Sequence, residues 1–238
     1  MDKIKNFLSA HSYFYLMLLF IPIQIWFQIL EHNLVPQYIT QTALDSRIPF
    51  IKEFVVPYLI WFIFVPYGVL FVGFYSRKDF LKLFTFLCGG MTAANILFMI
   101  FPNVQHLRPA IHSGDPFSLL VNMIYTLDTP TNVCPSVHVI NSIAVNAALQ
   151  HSETFSKKRF GKAISGALTI LICLSTVFIK QHSALDVAAG FAVSALFYIP
   201  LYGPFAQKLE KFAESKSVFQ KHRAGGSERN PRRERCEK

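Results

Sequence analysis

Charge is scarce in this chain: Asp, Glu, Lys and Arg make up 16% of its 238 residues, against 52% hydrophobic side chains. So little charge cannot cover the surface of a water-soluble domain of this size, which excludes an ordinary soluble fold. Cysteine is also sparse. Cys88, Cys134, Cys173 and Cys236 stand far apart and form no C-x-x-C pair, which excludes a disulfide framework and the common zinc spacings. The sequence contains no Gly-rich phosphate loop, no dinucleotide fingerprint and no internal repeat, so the usual nucleotide-binding folds are excluded as well. No metal site and no cofactor is expected.

What the chain does have is long apolar runs. A helix needs about 17–25 apolar residues to cross roughly 30 Å of hydrocarbon. Runs of about that length lie near Tyr13–Leu30, Phe54–Tyr75, Phe80–Phe101, Lys162–Ile179 and Ala184–Tyr202. A sixth stretch, Val137–Leu149, carries His138, Asn141, Ser142 and Asn146. Those groups are costly against lipid, so the stretch reads as a helix inside the bundle with a polar face. The fold class expected is all-α: a six-helix transmembrane bundle over residues 1–204, followed by a basic tail over 205–238.

Basic residues orient the bundle. With a cytoplasmic N-terminus, all but Arg47, Lys52, Arg108 and Lys180 of the 23 Lys and Arg fall on the inner side. That asymmetry predicts both termini in the cytoplasm. The first apolar run follows a short basic stretch, but Glu31-His32-Asn33-Leu34 after it offers no small-x-small cleavage site, so it reads as an uncleaved helix. The net charge of +9 comes mostly from the tail after Lys208. The tail suits anionic lipid or a disordered state better than nucleic acid, which is not an expected partner.

Ionisable groups at membrane depth are the first candidates for function. They gather in three segments: His106-Leu107-Arg108-Pro109, Cys134-Pro135-Ser136-Val137-His138, and Ser175 through Lys180 and His182 to Asp186. The expected topology puts all three at the outer helix ends, where they can converge. Two histidines, a carboxylate four residues after one of them, an Arg and a Lys make an anion pocket with a nucleophile or base and a second proton carrier. Phosphate fits best, because Arg108 can grip phosphoryl oxygens in pairs and Lys180 can neutralise remaining charge. Amides at the start of the helix after Pro135 add to the cradle. His182 and Asp186, four apart, share a helix face, so the carboxylate can hold one ring nitrogen protonated.

Each residue has a plainer reading. Arg108 can snorkel to the interface, Lys180 can anchor a helix end, Ser136 can merely cap a helix, and either His can be structural. Trp26 and Trp61 read as lipid-facing or packing residues. Asp45, Pro49 and Tyr58 read as structural, with a head-group site as the alternative.

Pro135-Ser136-Val137-His138 resembles the P-S-G-H signature of the type-2 phosphatidic acid phosphatase superfamily. Ser175 to Asp186 keeps the spacing of its S-R-x5-H-x3-D signature, and Arg108-Pro109 is similar to the end of K-x6-R-P. Phe101 stands where that pattern has Lys, Val137 where it has Gly, and Thr176 where it has Arg. Cys134-Pro135-Ser136-x-His138, Lys180-Gln181-His182 and Asp45-Ser46-Arg47-Ile48-Pro49-Phe50 are similar to the branch with inositol phosphorylceramide synthase-like proteins. The resemblance implies a metal-independent enzyme working through a phosphohistidine. His182 would attack phosphorus, Asp186 would orient it, and His138 would protonate the leaving oxygen and then activate water. Arg108, Ser136 and Lys180 would hold the phosphate, with Lys180 taking over charge that Thr176 cannot supply.

The function expected is hydrolysis of a lipid phosphomonoester or pyrophosphate at the outer face of a membrane, the bacterial plasma membrane in first instance. Its partners would be a lipid phosphate substrate and membrane lipids. The rival is a head-group phosphotransferase with the same residues. A third reading is a non-catalytic lipid-phosphate-binding protein or transporter.

Overall fold

The computed structural model of the chain describes residues 11–156, 159–210 and 212. Among these, a 3-10 stretch, Ser12–Leu19, leads into α1, Phe20–Asn33. A 3-10 turn, Lys52–Phe54, opens α2, Val55–Tyr75, and α3 follows over Arg77–Ile100. Then come α4, Pro116–Leu127; α5, Val137–His151; the short α6, Glu153–Ser156; α7, Arg159–Phe178; and α8, Ala184–Tyr202. The described strands, β1 (Tyr38–Ile39) and β2 (Asn103–Val104), pair in parallel, Tyr38 opposite Asn103.

Five stretches are long and apolar enough to cross a membrane: Ser12–Asn33, Lys52–Tyr75, Arg77–Ile100, Arg159–Phe178 and Ala184–Glu210. Their outward side chains are large and apolar, among them Phe62, Ile63, Ile100, Ile170 and Phe191. Exposed apolar faces of this extent are stable only against lipid. The protein is an all-helical integral membrane protein. Two compact units divide the chain, Met1–Tyr198 and Ile199–Lys238, and the site described below belongs to the first. The expected tail lies mostly outside the described residues. So do Lys3, Lys5, Lys157 and Lys158, which carry part of the orientation argument, and Cys236.

The stretch with too many polar residues for lipid is helical and enclosed. His138, Asn141 and Ser142 on α5 are all buried, together with Val139, Ile140, Ala144 and Val145. Its neighbours approach closely because they present glycine. A Cβ on Gly90 of α3 would meet Ile140 at 2.5 Å, and one on Gly190 of α8 would meet the Ser136 carbonyl and Val139 at 3.0 Å. Any side chain at Gly190 would therefore push α8 away from the first turn of α5.

One helix was not anticipated. The connection between Pro102 and Pro135 contains α4, signalled locally by Asp115-Pro116. Asp115 caps it, accepting from the amides of Phe117 and Ser118, and Pro116 occupies the first helical position. Lys52 donates to the same carboxylate. At 12 residues α4 is too short to span a bilayer. It packs Val121 and Ile124 against Val55, Tyr58 and Ile179, which brings the end of α4 to the start of α2 and the end of α7.

Candidate active site

The first turn of α5 is held from both sides. Asn103 of β2, fully buried, accepts through Oδ1 from the amides of Val133 and Cys134 at 2.8 and 2.9 Å. Its Nδ2 donates to the carbonyls of Phe101 and Cys134. A buried Asn with its donors and acceptor all engaged fixes the strand-to-helix turn. Ser136 is the N-cap of α5; its Oγ accepts from the Val139 amide at 3.5 Å, and its own amide donates to the Asp186 carbonyl at 3.0 Å. His138 then points into the protein between the Tyr58 and Trp61 rings, at 4.7 and 4.5 Å between centroids.

The second half of the site is the turn between α7 and α8. The Gln181 amide donates to the Thr176 carbonyl at 2.9 Å and the Lys180 amide to Val177 at 3.1 Å, the two bonds of a Schellman motif. Its left-handed position, normally glycine, is Lys180 with φ of 56°, a conformation costing about 1 kcal/mol for a residue with a Cβ. The turn aims His182 at α5. Ser183 and Asp186 then form a capping box at the start of α8: the Asp186 amide donates to Ser183 Oγ at 3.1 Å, and the Ser183 amide donates to Asp186 Oδ2 at 2.7 Å. That box fixes the carboxylate beside the histidine.

These restraints bring His138 and His182 together although 44 residues separate them. His138 Nδ1 lies 3.3 Å from His182 Nε2, and His182 Nδ1 lies 3.6 Å from Asp186 Oδ2. His138, His182 and Asp186 are all buried. A proton held on His182 Nδ1 by Asp186 leaves Nε2 with a lone pair, and His138 Nδ1–H then donates to it. Such an arrangement can supply a nucleophilic nitrogen with a proton carrier beside it. The distance of 3.6 Å exceeds a hydrogen bond; catalytic hydrogen bonds in ligand-free sites are often this long and tighten when substrate binds.

Arg108 stacks its guanidinium over Tyr125 at 4.6 Å and donates through Nη1 to the Tyr125 carbonyl at 3.1 Å. Its Nε and Nη2 are buried without a partner. That edge presents two N–H groups in the geometry that suits two phosphoryl oxygens. Burial pulls the guanidinium down from its usual value, while Asp128 and Tyr125 oppose the shift. Asp128, which sequence reasoning missed, accepts through Oδ2 from Gln181 Nε2 at 3.0 Å and from Tyr58 OH at 3.3 Å. Burial pushes its carboxyl up, and the nearby His182 and Arg108 pull against that. The Cys134 thiol is pushed up to about 12 by burial and the Asp186 carboxylate, so it stays protonated and is a poor nucleophile.

Lys180 is placed differently from the other named residues. Its ammonium donates to the carbonyls of Asp45 and Ile48, at 2.9 and 2.6 Å, using two of its three N–H groups on the loop between α1 and α2. Asp45 completes the latch. Its Oδ2 accepts from the Thr42 amide and hydroxyl, and its Oδ1 from the Ala184 amide at 2.7 Å. The buried Asp45 thus ties the loop between α1 and α2 to the first turn of α8, where Asp186 sits. Asp45→Ala leaves those donors unsatisfied, so it is expected to destabilise the protein by about 3 kcal/mol and to lower turnover. Thermal unfolding in detergent and an activity assay check both.

Tyr58 and Trp61, three apart on α2, share the face that encloses His138, so Trp61 is a packing residue that also borders the site. Their i, i+3 spacing was the available signal, weak because aromatics recur along the whole helix. A cavity of about 420 Å³ opens from this face, bordered by His138, Asp128, Tyr58, Trp61, Asn141 and Gln24 and otherwise by apolar residues. A second apolar cleft of about 920 Å³, between α1, α2 and α3, shares Phe20 and Gln24 with it.

No protein-family model and no solved structure matches the chain. Among curated proteins it is similar to lipid phosphate phosphatase delta of Arabidopsis thaliana, 29% identical over 89 residues, a stretch that covers 34% of this chain and 21% of that protein's length.

Proposed function

We propose that this protein is a membrane lipid phosphatase acting through a phosphohistidine on His182. The observation that carries the reading is the alignment of His138, His182 and Asp186, with His138 bordering a largely apolar cavity of about 420 Å³. The similarity to a plant lipid phosphate phosphatase supports the same reaction class.

In the first step the substrate's phosphoryl group enters between the two histidines and displaces the His138–His182 hydrogen bond. His182 Nε2 forms a bond to phosphorus as the bond to the leaving oxygen breaks. The electron pair departs with that oxygen, which takes the proton of His138. Asp186 stabilises the positive charge that develops on the His182 ring. Arg108 holds phosphoryl oxygens through Nε and Nη2, and the first amides of α5 complete the cradle with the Ser136 hydroxyl. Lys180, held by the Asp45 and Ile48 carbonyls, contributes to the phosphate only at a distance. In the second step His138 takes a proton from water, whose oxygen attacks phosphorus and releases His182.

We assign α5 as a sixth crossing, with both termini cytoplasmic and the site at the outer face. Substitution of water by an alcohol gives the rival reading, a head-group phosphotransferase using the same residues. The test is phosphate release from phosphatidic acid, phosphatidylglycerol phosphate and a polyprenyl pyrophosphate by purified protein in EDTA. Release that persists in EDTA supports the phosphatase. A folded protein that releases no phosphate without an added alcohol, and transfers when one is supplied, favours the phosphotransferase.

A further inference from the structure

Asp128 belongs to none of the three motif segments, yet it borders the cavity on which His138 opens. The residue follows α4, whose packing on Tyr58 and Ile179 sets its place. The two donors that reach it among the described residues, Gln181 and Tyr58, both bind Oδ2. It interacts electrostatically with His182, Arg108 and Glu31. Glu31 is itself engaged, accepting from the amide and hydroxyl of Thr129.

The charges around the histidine pair can now be weighed. On the positive side stands Arg108 with one open edge. The Lys180 ammonium is turned to two carbonyls. On the negative side stand Asp186 and Asp128. A phosphate with two charges would enter a site already short of positive charge, and in a buried setting each additional like charge is costly. A phosphate with one charge is matched by Arg108.

We propose that Asp128 is a specificity-determining residue that restricts this site to phosphates carrying a single negative charge. The inference rests on the phosphoryl-transfer reading above. Two sources offer such a group: a lipid phosphodiester, or a lipid phosphomonoester in its monoprotonated form. With a diester, His182 Nε2 bonds to phosphorus as one P–O bond breaks. That oxygen leaves with the electron pair and the His138 proton, and the second ester stays on phosphorus until water or an alcohol displaces His182.

The test uses the full chain in detergent at pH 8, where a phosphomonoester with a second pKa of about 6 is almost wholly dianionic. Cleavage of phosphatidylglycerol, a diester, is compared with that of phosphatidic acid, a monoester, in the wild type and in Asp128→Asn; His182→Ala supplies the background. Asn retains an oxygen that can accept from Gln181 and Tyr58. The wild type is expected to favour the singly charged substrate, and Asp128→Asn to shift the ratio toward the dianion by about tenfold. Preference for the diester identifies that source; weak cleavage of both at pH 8, with phosphatidic acid recovering at pH 6, identifies the monoprotonated monoester.

Binding supplies an independent readout. Trp61 packs against His138, so its fluorescence is expected to report dimethyl phosphate, a monoanion, and inorganic phosphate, mostly a dianion at pH 8. Tighter binding of the monoanion, lost in Asp128→Asn, supports charge selection even if no lipid turns over, which would instead fail the phosphatase reading. Equal or stronger binding and turnover of the dianion by the wild type, unchanged in the variant, overturns the proposal.

Discussion

His182→Ala is expected to lower phosphate release by about 10⁴-fold or more, because removing a covalent nucleophile leaves only binding and electrostatic stabilisation. The fold should tolerate the change. His182 sits in a turn whose backbone bonds run to Thr176, and whose following helix is capped by Ser183 and Asp186. None of these uses the imidazole. The loss therefore separates chemistry from folding, and unfolding temperature in detergent is expected to shift little beside it. An unchanged rate would remove His182 from the reaction altogether.

His138→Ala is expected to have the second largest effect, and one that depends on the substrate. A positioned general acid contributes about 10²–10⁴-fold. That contribution is greatest when the departing oxygen is a poor leaving group. An alkyl phosphate such as phosphatidic acid should suffer the full loss, whereas an aryl phosphate, whose phenolate departs without protonation, should suffer much less in the first step. The second step also loses its base, so phosphoenzyme should accumulate with the aryl substrate. First-step rates, read from the burst of released alcohol or phenol, check this, and equal first-step losses on the two substrates would assign His138 a structural part between Tyr58 and Trp61.

The apolar helices were legible in the sequence because lipid imposes a length and a composition that few other settings reproduce. The buried α5 was legible by contradiction: His138, Asn141 and Ser142 in an otherwise apolar run make sense only facing inward. The histidine pair and Asp186 could be named because their spacings carry chemistry. The geometry that makes them adjacent could not. It depends on Asn103 pinning Val133 and Cys134, on the Ser136 amide meeting the Asp186 carbonyl, and on the absence of a side chain at Gly190. None of these leaves a periodic trace.

Asp128 stayed hidden for a related reason. A single carboxylate after a short helix reads as surface, and only the fold of α4 against Tyr58 and Ile179 turns it toward His182. Lys180 illustrates the same limit from the opposite side. Its identity and register announce a cation near phosphate, but a flexible side chain in a left-handed turn has more than one direction open to it. Here the carbonyls of Asp45 and Ile48 hold it.

The most direct measurement is to react the His138→Ala protein with an aryl phosphate, quench it at alkaline pH, and locate the bound phosphate by peptide mass spectrometry. Phosphate on His182, stable to alkali and lost in mild acid, is the predicted result. Phosphate on another residue, or release that continues in His182→Ala, would contradict a phosphohistidine mechanism at this site.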